Sequence, residues 1–248
     1  MTRLTGTGGR DRLATPPAPQ PPAGKRAPAG AMADPRVRLG AGTAVMLATA
    51  LAARHHRVSR GEAMAFRAVN DLPGALYRPA WIIMQLGTLG AAPAAAGVAW
   101  LTGDHRLAGR LLAGGTGTWA AAKLVKRMVR RPRPAALLPG TRRRGPDATG
   151  LGYLSGHAGV AVALGAAVLP RLGPAGRALT LAVMPAVGLT RVYVGAHLPL
   201  DIAGGAALGL ATDAALALVQ EPRWPAGVPP AVAFTRSAQP CPKAHKRQ

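Results

Sequence analysis

Apolar residues in this chain gather into long uncharged runs separated by short basic segments. Pro79 to Gly103 is a stretch of 25 residues without a charge, and Ala148 to Pro170 another of 23; a helix of about 20 residues crosses a hydrocarbon core of ~30 Å. Shorter or interrupted runs cover roughly Leu39 to Ala53, Ala108 to Val125, Leu172 to Val194 and Leu198 to Val219. The pattern predicts an all-α fold, a polytopic membrane bundle of about six transmembrane helices. The first run, at fifteen residues, suits a thin or tilted crossing or an interfacial segment equally well. Gly205 and Gly209 form a small-xxx-small pair of the kind that lets helices approach closely in lipid.

Composition sharpens the picture. Of the 248 residues 49% are hydrophobic but only 4% aromatic, and the apolar material is concentrated where a soluble domain would disperse it. Residues 1–36 are rich in Pro, Ala and Arg with no apolar run, so they read as a disordered basic arm without a secretory signal. Residues 37–220 then form the membrane domain, and 221–248 a second disordered basic tail. Cys241, alone in that tail, allows no internal disulfide.

The formal charge is +22. Eight of the 31 Lys and Arg fall within "KRMVRRPRPAALLPGTRRRG", Lys126 to Gly145, directly after an apolar run. Such a cluster fits three uses: a topology anchor, a contact for phosphate or lipid headgroups, or a nucleic-acid patch. No aromatic residue interleaves the charges, which argues against nucleic acid. With six alternating spans and residues 1–38 inside, the inside segments hold 16 Lys and Arg and the outside ones 15, so charge alone does not set the orientation. If the loop faces outward, it needs a reason other than topology to be basic.

Three islands of polar chemistry stand out. At the end of the third run, Lys126 precedes Arg133, which Pro132 and Pro134 hold in extended backbone. In "YLSGHAGVAVAL", Tyr153 to Leu164, Ser155, Gly156 and His157 open a long apolar helix. The free N–H groups and partial positive charge of such a terminus suit an anion, and Gly156 admits close approach. A capping serine beside a histidine bonded between helices is the plainer reading of that triplet. In "TRVYVGAHLPLD", Thr190 to Asp201, Arg191 ends the fifth run, and His197 and Asp201 share one helix face at the start of the sixth. A carboxylate so placed fixes the imidazole tautomer and leaves the other nitrogen as base or nucleophile; a purely structural His–Asp pair is the alternative. Alternating spans place all three islands at one membrane face.

These residues, in this order, resemble the signature of the type 2 phosphatidic acid phosphatase superfamily, integral-membrane lipid phosphatases related to vanadium haloperoxidases and glucose-6-phosphatase. That signature is K-x6-R-P, then P-S-G-H, then S-R-x5-H-x3-D. Here it reads Lys126 with Arg133-Pro134, then Leu154-Ser155-Gly156-His157, then Thr190-Arg191 with His197 and Asp201. Leu154 and Thr190 depart from the pattern; neither position loses a catalytic group, and Thr190 keeps a hydroxyl.

The resemblance implies metal-free hydrolysis of a lipid-linked phosphate or diphosphate, with no cofactor. Lys126, Arg133, Ser155, Gly156 and Arg191 would hold the phosphate. His197, oriented by Asp201, would attack phosphorus to give a phosphohistidine, and His157 would protonate the leaving oxygen. The family's usual placement in bacteria implies a cell-membrane protein with this face extracytoplasmic and both termini cytoplasmic. A catalytically silent relative that binds or moves phospholipids is the alternative, prompted by Leu154 and Thr190.

Other polar residues receive lesser roles. Arg127, Arg130, Arg131 and Arg142 to Arg144 are expected to draw an anionic headgroup toward the site. Glu62 to Asn70, "EAMAFRAVN", is expected to form an amphipathic helix at the same surface, with Met64, Phe66 and Val69 in lipid. His55, His56, His105 and His245 read as solvated or interfacial. Asp213, about three turns beyond Asp201, reads as a structural partner away from the chemistry.

Overall fold

The computed structural model of the chain describes residues 34–146 and 149–220. Among them there are helices and no strands: α1 (Pro35–Arg54), α2 (Arg60–Asn70), α3 (Tyr77–Gln85), α4 (Ala91–Leu101), α5 (His105–Val129), α6 (Pro134–Leu137), α7 (Gly156–Val168), α8 (Pro174–Tyr193) and α9 (Pro199–Gln220). Single 3-10 turns lie at Gly74–Leu76 and Leu169–Arg171. The expected arm and tail lie outside the described residues, except that α1 begins two residues earlier than the boundary at 37. Asp34 caps it by accepting the Arg36 N–H at 2.7 Å, and Pro35 occupies the first turn.

Two of the expected spans are shorter or broken. Pro79 to Gly103 divides into α3 and α4, because the N–H groups of Leu86, Gly87 and Thr88 bond three residues back and tighten the last turn of α3. Thr88 Oγ1 also takes the Gln85 carbonyl at 2.8 Å. Ala148 to Pro170 is α-helical only over the 13 residues of α7. The longer helices α1, α5 and α8 carry arginines within them. Among the described residues one helix, α9, is both long and apolar enough to cross a bilayer unaided.

Helix α9 is the spine of the bundle, with α1 along one side and α7 along another; α5 packs on α7 and α4, and α8 on α7 and α3. The Gly205–Gly209 pair performs as its spacing predicts. A Cβ at Gly205 would strike the Ser155 carbonyl, and one at Gly209 the Gly159 carbonyl, so both glycines are needed for α9 to lie this close to α7. Alanine dominates the buried positions, including Ala92, Ala96, Ala108, Ala163, Ala167, Ala211 and Ala214. Large apolar side chains face outward instead: Leu51 is 60% exposed, Ile82 64%, Val98 65%, Leu101 87% and Leu179 66%. Small residues inside and large apolar ones outside is the arrangement of helices packed in hydrocarbon, where close backbone contact supplies cohesion and the outer surface needs no water.

At the far end of the bundle Asp213, 1% exposed, accepts from Arg38 Nη1 at 2.8 Å and Arg110 Nε at 2.8 Å. This ties α1, α5 and α9 together, a structural partnership as the sequence suggested. The amphipathic segment is helical as α2, with Met64 outward as expected but Phe66 and Val69 turned into the core. Met64 is 69% exposed, whereas Phe66, at 1%, packs with Val192 and Leu198 in the core, and Val69 joins it there. A large aromatic ring gains more from a packed core than from the interface.

Candidate active site

The end of α5, the start of α7, the end of α8 and the start of α9 converge at one end of the bundle. The Ser155 N–H donates to the Asp201 carbonyl at 2.9 Å, and Lys126 Nζ reaches the carbonyls of Leu151 and Gly152 at 3.1 and 3.0 Å. Between these elements lies a cavity of about 250 Å³, lined by Lys126, Arg133, Gly156, His157, Arg191 and His197. Six of the eight residues expected from the sequence therefore share one space. Ser155 and Asp201 stand behind it.

Each cation is aimed by its backbone. Arg133 sits at φ −77°, ψ 162°, the extended conformation that its flanking prolines dictate. Its guanidinium donates to the Thr149 carbonyl from Nε and Nη2 at 3.0 and 2.8 Å, and to the Ala196 carbonyl from Nη1 at 2.8 Å. Arg191, in the last turn of α8, sets Nη1 against the Met84 sulfur. Its Nε is buried with no hydrogen-bond partner, an unsatisfied donor that an anion would complete.

His197 is buried and Asp201 fully so. Asp201 Oδ2 accepts the Leu198 N–H at 2.8 Å, the reach of a third-position carboxylate back to its helix cap, and lies 3.6 Å from His197 Nδ1. Nδ1 has no hydrogen-bond partner, so the carboxylate faces it across a gap slightly too long for a bond. Burial pushes the His197 imidazole well below its usual range, to about 3, outweighing the pull of Asp201, and the charges of Lys126 and Arg191 add to the lowering. The imidazole is accordingly neutral, and Nε2 is the ring nitrogen that does not face Asp201.

The Ser155 hydroxyl accepts the Ala158 N–H at 3.4 Å as the cap of α7, behind the cavity. Two expectations are corrected. Arg131 is not available to a headgroup, because it is 0% exposed and ion-paired to Glu62 at 2.7 Å and Asp201 at 3.0 Å. Burial alone would lower its pKa, but the hydrogen bond to Glu62 and the charge of Asp201 more than reverse this and raise it. Arg144 likewise turns inward, donating to the carbonyls of Asn70, Leu72 and Tyr193 and lying over the Tyr193 ring. Arg127 and Arg130 are exposed, as expected, and Arg142 pairs with Asp71 at the surface.

The two departures from the signature are accommodated structurally. Leu154, 0% exposed, packs with Val129, Tyr153 and Leu208. The Thr190 hydroxyl bonds the Val187 carbonyl at 2.8 Å within α8.

Sequence reasoning missed the segment Gly87–Leu89, which closes the cavity from the α3–α4 break, and Lys123, which lies over Trp119 at its rim. A Cβ on Gly87 would meet the His157 carbonyl at 2.5 Å, so glycine there sets how closely the break approaches α7. A glycine inside an uncharged run was the available signal. Of the histidines outside the site, His56 reaches the Val129 carbonyl at 3.4 Å, and His105 packs on Trp100. Among the described residues no group of three His, Cys, Asp or Glu suits a metal ion; His245 and Cys241 lie outside them.

Residues 107–225 match the family described as the PAP2 superfamily. Two solved structures share the fold. The crystal structure of Aquifex aeolicus LpxE is 17% identical, aligning over 62% of this chain and 93% of that one with a TM-score of 0.53. That of the first transmembrane PAP2 type phosphatidylglycerolphosphate phosphatase from Bacillus subtilis is 20% identical, over 73% of this chain and 96% of that one, with a TM-score of 0.54. No curated protein matches the chain. All three ordered motifs fall within the matched residues 107–225, which makes that segment a member of the PAP2 superfamily, on a helical fold shared with the two solved structures.

Proposed function

We propose that residues 37–220 form an integral-membrane phosphatase that hydrolyses a lipid-linked phosphate or diphosphate presented at the bilayer surface. Polyprenyl diphosphate, phosphatidic acid and prenyl-linked phosphate sugars are the candidate substrates. The observation that carries the reading is the meeting of Lys126, Arg133 and Arg191 with two histidines on one cavity of about 250 Å³. α1, the broken pair α3–α4, α5, α7, α8 and α9 are the six crossings. The outward-facing Leu, Ile and Val side chains support membrane embedding. The cavity faces the extracytoplasmic side and the basic termini the cytoplasm.

Lys126, Arg133 and Arg191 bind the phosphoryl oxygens, with the Gly156 N–H at the positive end of α7, and supply the charge neutralisation the reaction needs. His197 Nε2 attacks phosphorus, and the bond from phosphorus to the lipid oxygen breaks. The departing oxygen takes a proton from His157, and a phosphohistidine remains. Water then gives a proton to His157 and attacks phosphorus; orthophosphate leaves and His197 is restored. Asp201 holds Nδ1 and stabilises the imidazolium character of the intermediate.

The test is phosphate release in detergent from a panel of lipid phosphates and diphosphates, with EDTA, comparing the parent with His197→Ala. Release by the parent and loss in the variant is expected. Full activity in the variant, or a requirement for added divalent metal, would contradict the mechanism.

A further inference from the structure

Glu62 and Arg131 have no place in the signature or in the mechanism above. Yet Arg131 is among the largest fully buried side chains, and it touches the carboxylate that faces His197. Its Nη1 donates to Asp201 Oδ1 at 3.0 Å and to Glu62 Oε1 at 3.0 Å, while Nη2 donates to Glu62 Oε2 at 2.7 Å and to the Arg57 carbonyl at 3.3 Å. Glu62 Oε1 also accepts the Leu200 N–H at 3.2 Å, in the first turn of α9 one residue before Asp201.

The local sequence makes this assembly unusual. Ser59 and Glu62 have the spacing of a capping box, and Ser59 does cap α2, accepting the Glu62 N–H at 3.1 Å. The Glu62 side chain, which in such a box turns back to the cap, instead crosses to Arg131 and α9. A buried arginine bonded to a single carboxylate would balance its charge. Here one guanidinium is shared by two carboxylates, so Glu62, Arg131 and Asp201 together retain one net negative charge beside His197.

We propose that Glu62 and Arg131 are positioning residues for the histidine nucleophile. Arg131 fixes Asp201 through Oδ1, leaving Oδ2 toward Nδ1, and Glu62 offsets Arg131 so that Asp201 keeps its charge for the imidazolium formed when His197 is phosphorylated. This rests on the proposed phosphatase reading. Neither residue lines the cavity, so neither contributes to phosphate affinity.

The experiment is steady-state kinetics on a hydrolysed lipid phosphate, with competitive inhibition by inorganic phosphate and a melting temperature for each variant in the same detergent. Glu62→Gln brings the cluster to zero net charge. It should lower kcat by about 10- to 100-fold, the scale of a misplaced reacting group, while KM and phosphate inhibition stay within about twofold. Arg131→Gln leaves two uncompensated carboxylates, and the double variant with Glu62→Gln, which returns to one net negative charge, should be more active than Arg131→Gln alone. If Glu62→Gln does not fold, Glu62→Asp, which keeps the charge and shortens the reach, should show the same fall in kcat at constant KM.

An active parent whose folded Glu62 variant matches it in kcat would overturn this inference alone. So would activity and phosphate inhibition lost together in proportion to the folded fraction. A parent that releases no phosphate from any lipid would overturn the phosphatase reading first, and this one with it.

Discussion

Asp201 Oδ2 faces His197 Nδ1 across 3.6 Å, in a site where both side chains are buried and the imidazole nitrogen has no other partner. The carboxylate is held through Oδ1 by Arg131 and through Oδ2 itself by the Leu198 N–H, so a small movement of the ring completes the bond. Asp201→Asn keeps the shape but removes the charge and offers the wrong hydrogen-bond partner. Turnover should fall by roughly 10³- to 10⁴-fold, as it does when a triad aspartate is amidated, with the protein still folded. Initial rates on one lipid phosphate, beside a melting curve, check this.

The lowered pKa of His197 has a signed consequence for stability. Folded, the imidazole stays neutral down to about pH 3; unfolded, it takes a proton near its ordinary value of 6.5. The unfolded state binds more protons between those values, so stability is full above about pH 6.5 and declines as pH falls toward 3. His197→Asn removes this group, and the melting temperature of the variant should depend less steeply on pH across that window.

Gly87 tests how the break between α3 and α4 shapes the cavity. An alanine there sets its Cβ 2.5 Å from the His157 carbonyl and 2.7 Å from Val187 Cγ1, and one of these must move. Gly87→Ala should cost about 1–3 kcal/mol of stability by overpacking. Displacement of α7 should also reduce kcat. Equal activity and equal melting temperature would show that the contact yields freely.

Asp213 separates structure from chemistry. It stands twelve residues beyond Asp201 on α9, about 18 Å along the helix axis. Asp213→Ala leaves Arg38 and Arg110 facing each other without a carboxylate, which should cost roughly 3–5 kcal/mol. The fraction that remains folded should hydrolyse substrate with the parental KM. Thermal unfolding and kinetics on the same preparation decide it.

Much of the site was legible because its spacing is local. Six residues separate Lys126 from Arg133, with prolines either side of the arginine, and four-residue spacing puts His197 and Asp201 on one helix face. The helix start at Ser155 was also readable, as was the close approach at Gly205 and Gly209. What remained hidden depends on contacts between distant segments. Arg131 looked like one more surface cation in a basic loop, and only the fold brings Glu62, 69 residues earlier, to its guanidinium. Phe66 was assigned to lipid because periodicity finds the apolar face of α2 without saying what lies opposite. The break after Gln85 was invisible to hydropathy, since Gly87 and Thr88 carry no charge.

The most direct measurement is identification of the phosphorylated residue after rapid quenching of the enzyme with a lipid phosphate labelled in its terminal group. Acid-labile, base-stable label on the His197 peptide, absent from His197→Ala and diminished in Asp201→Asn, is the predicted result. Label on any other residue, or turnover persisting in His197→Ala, would contradict it.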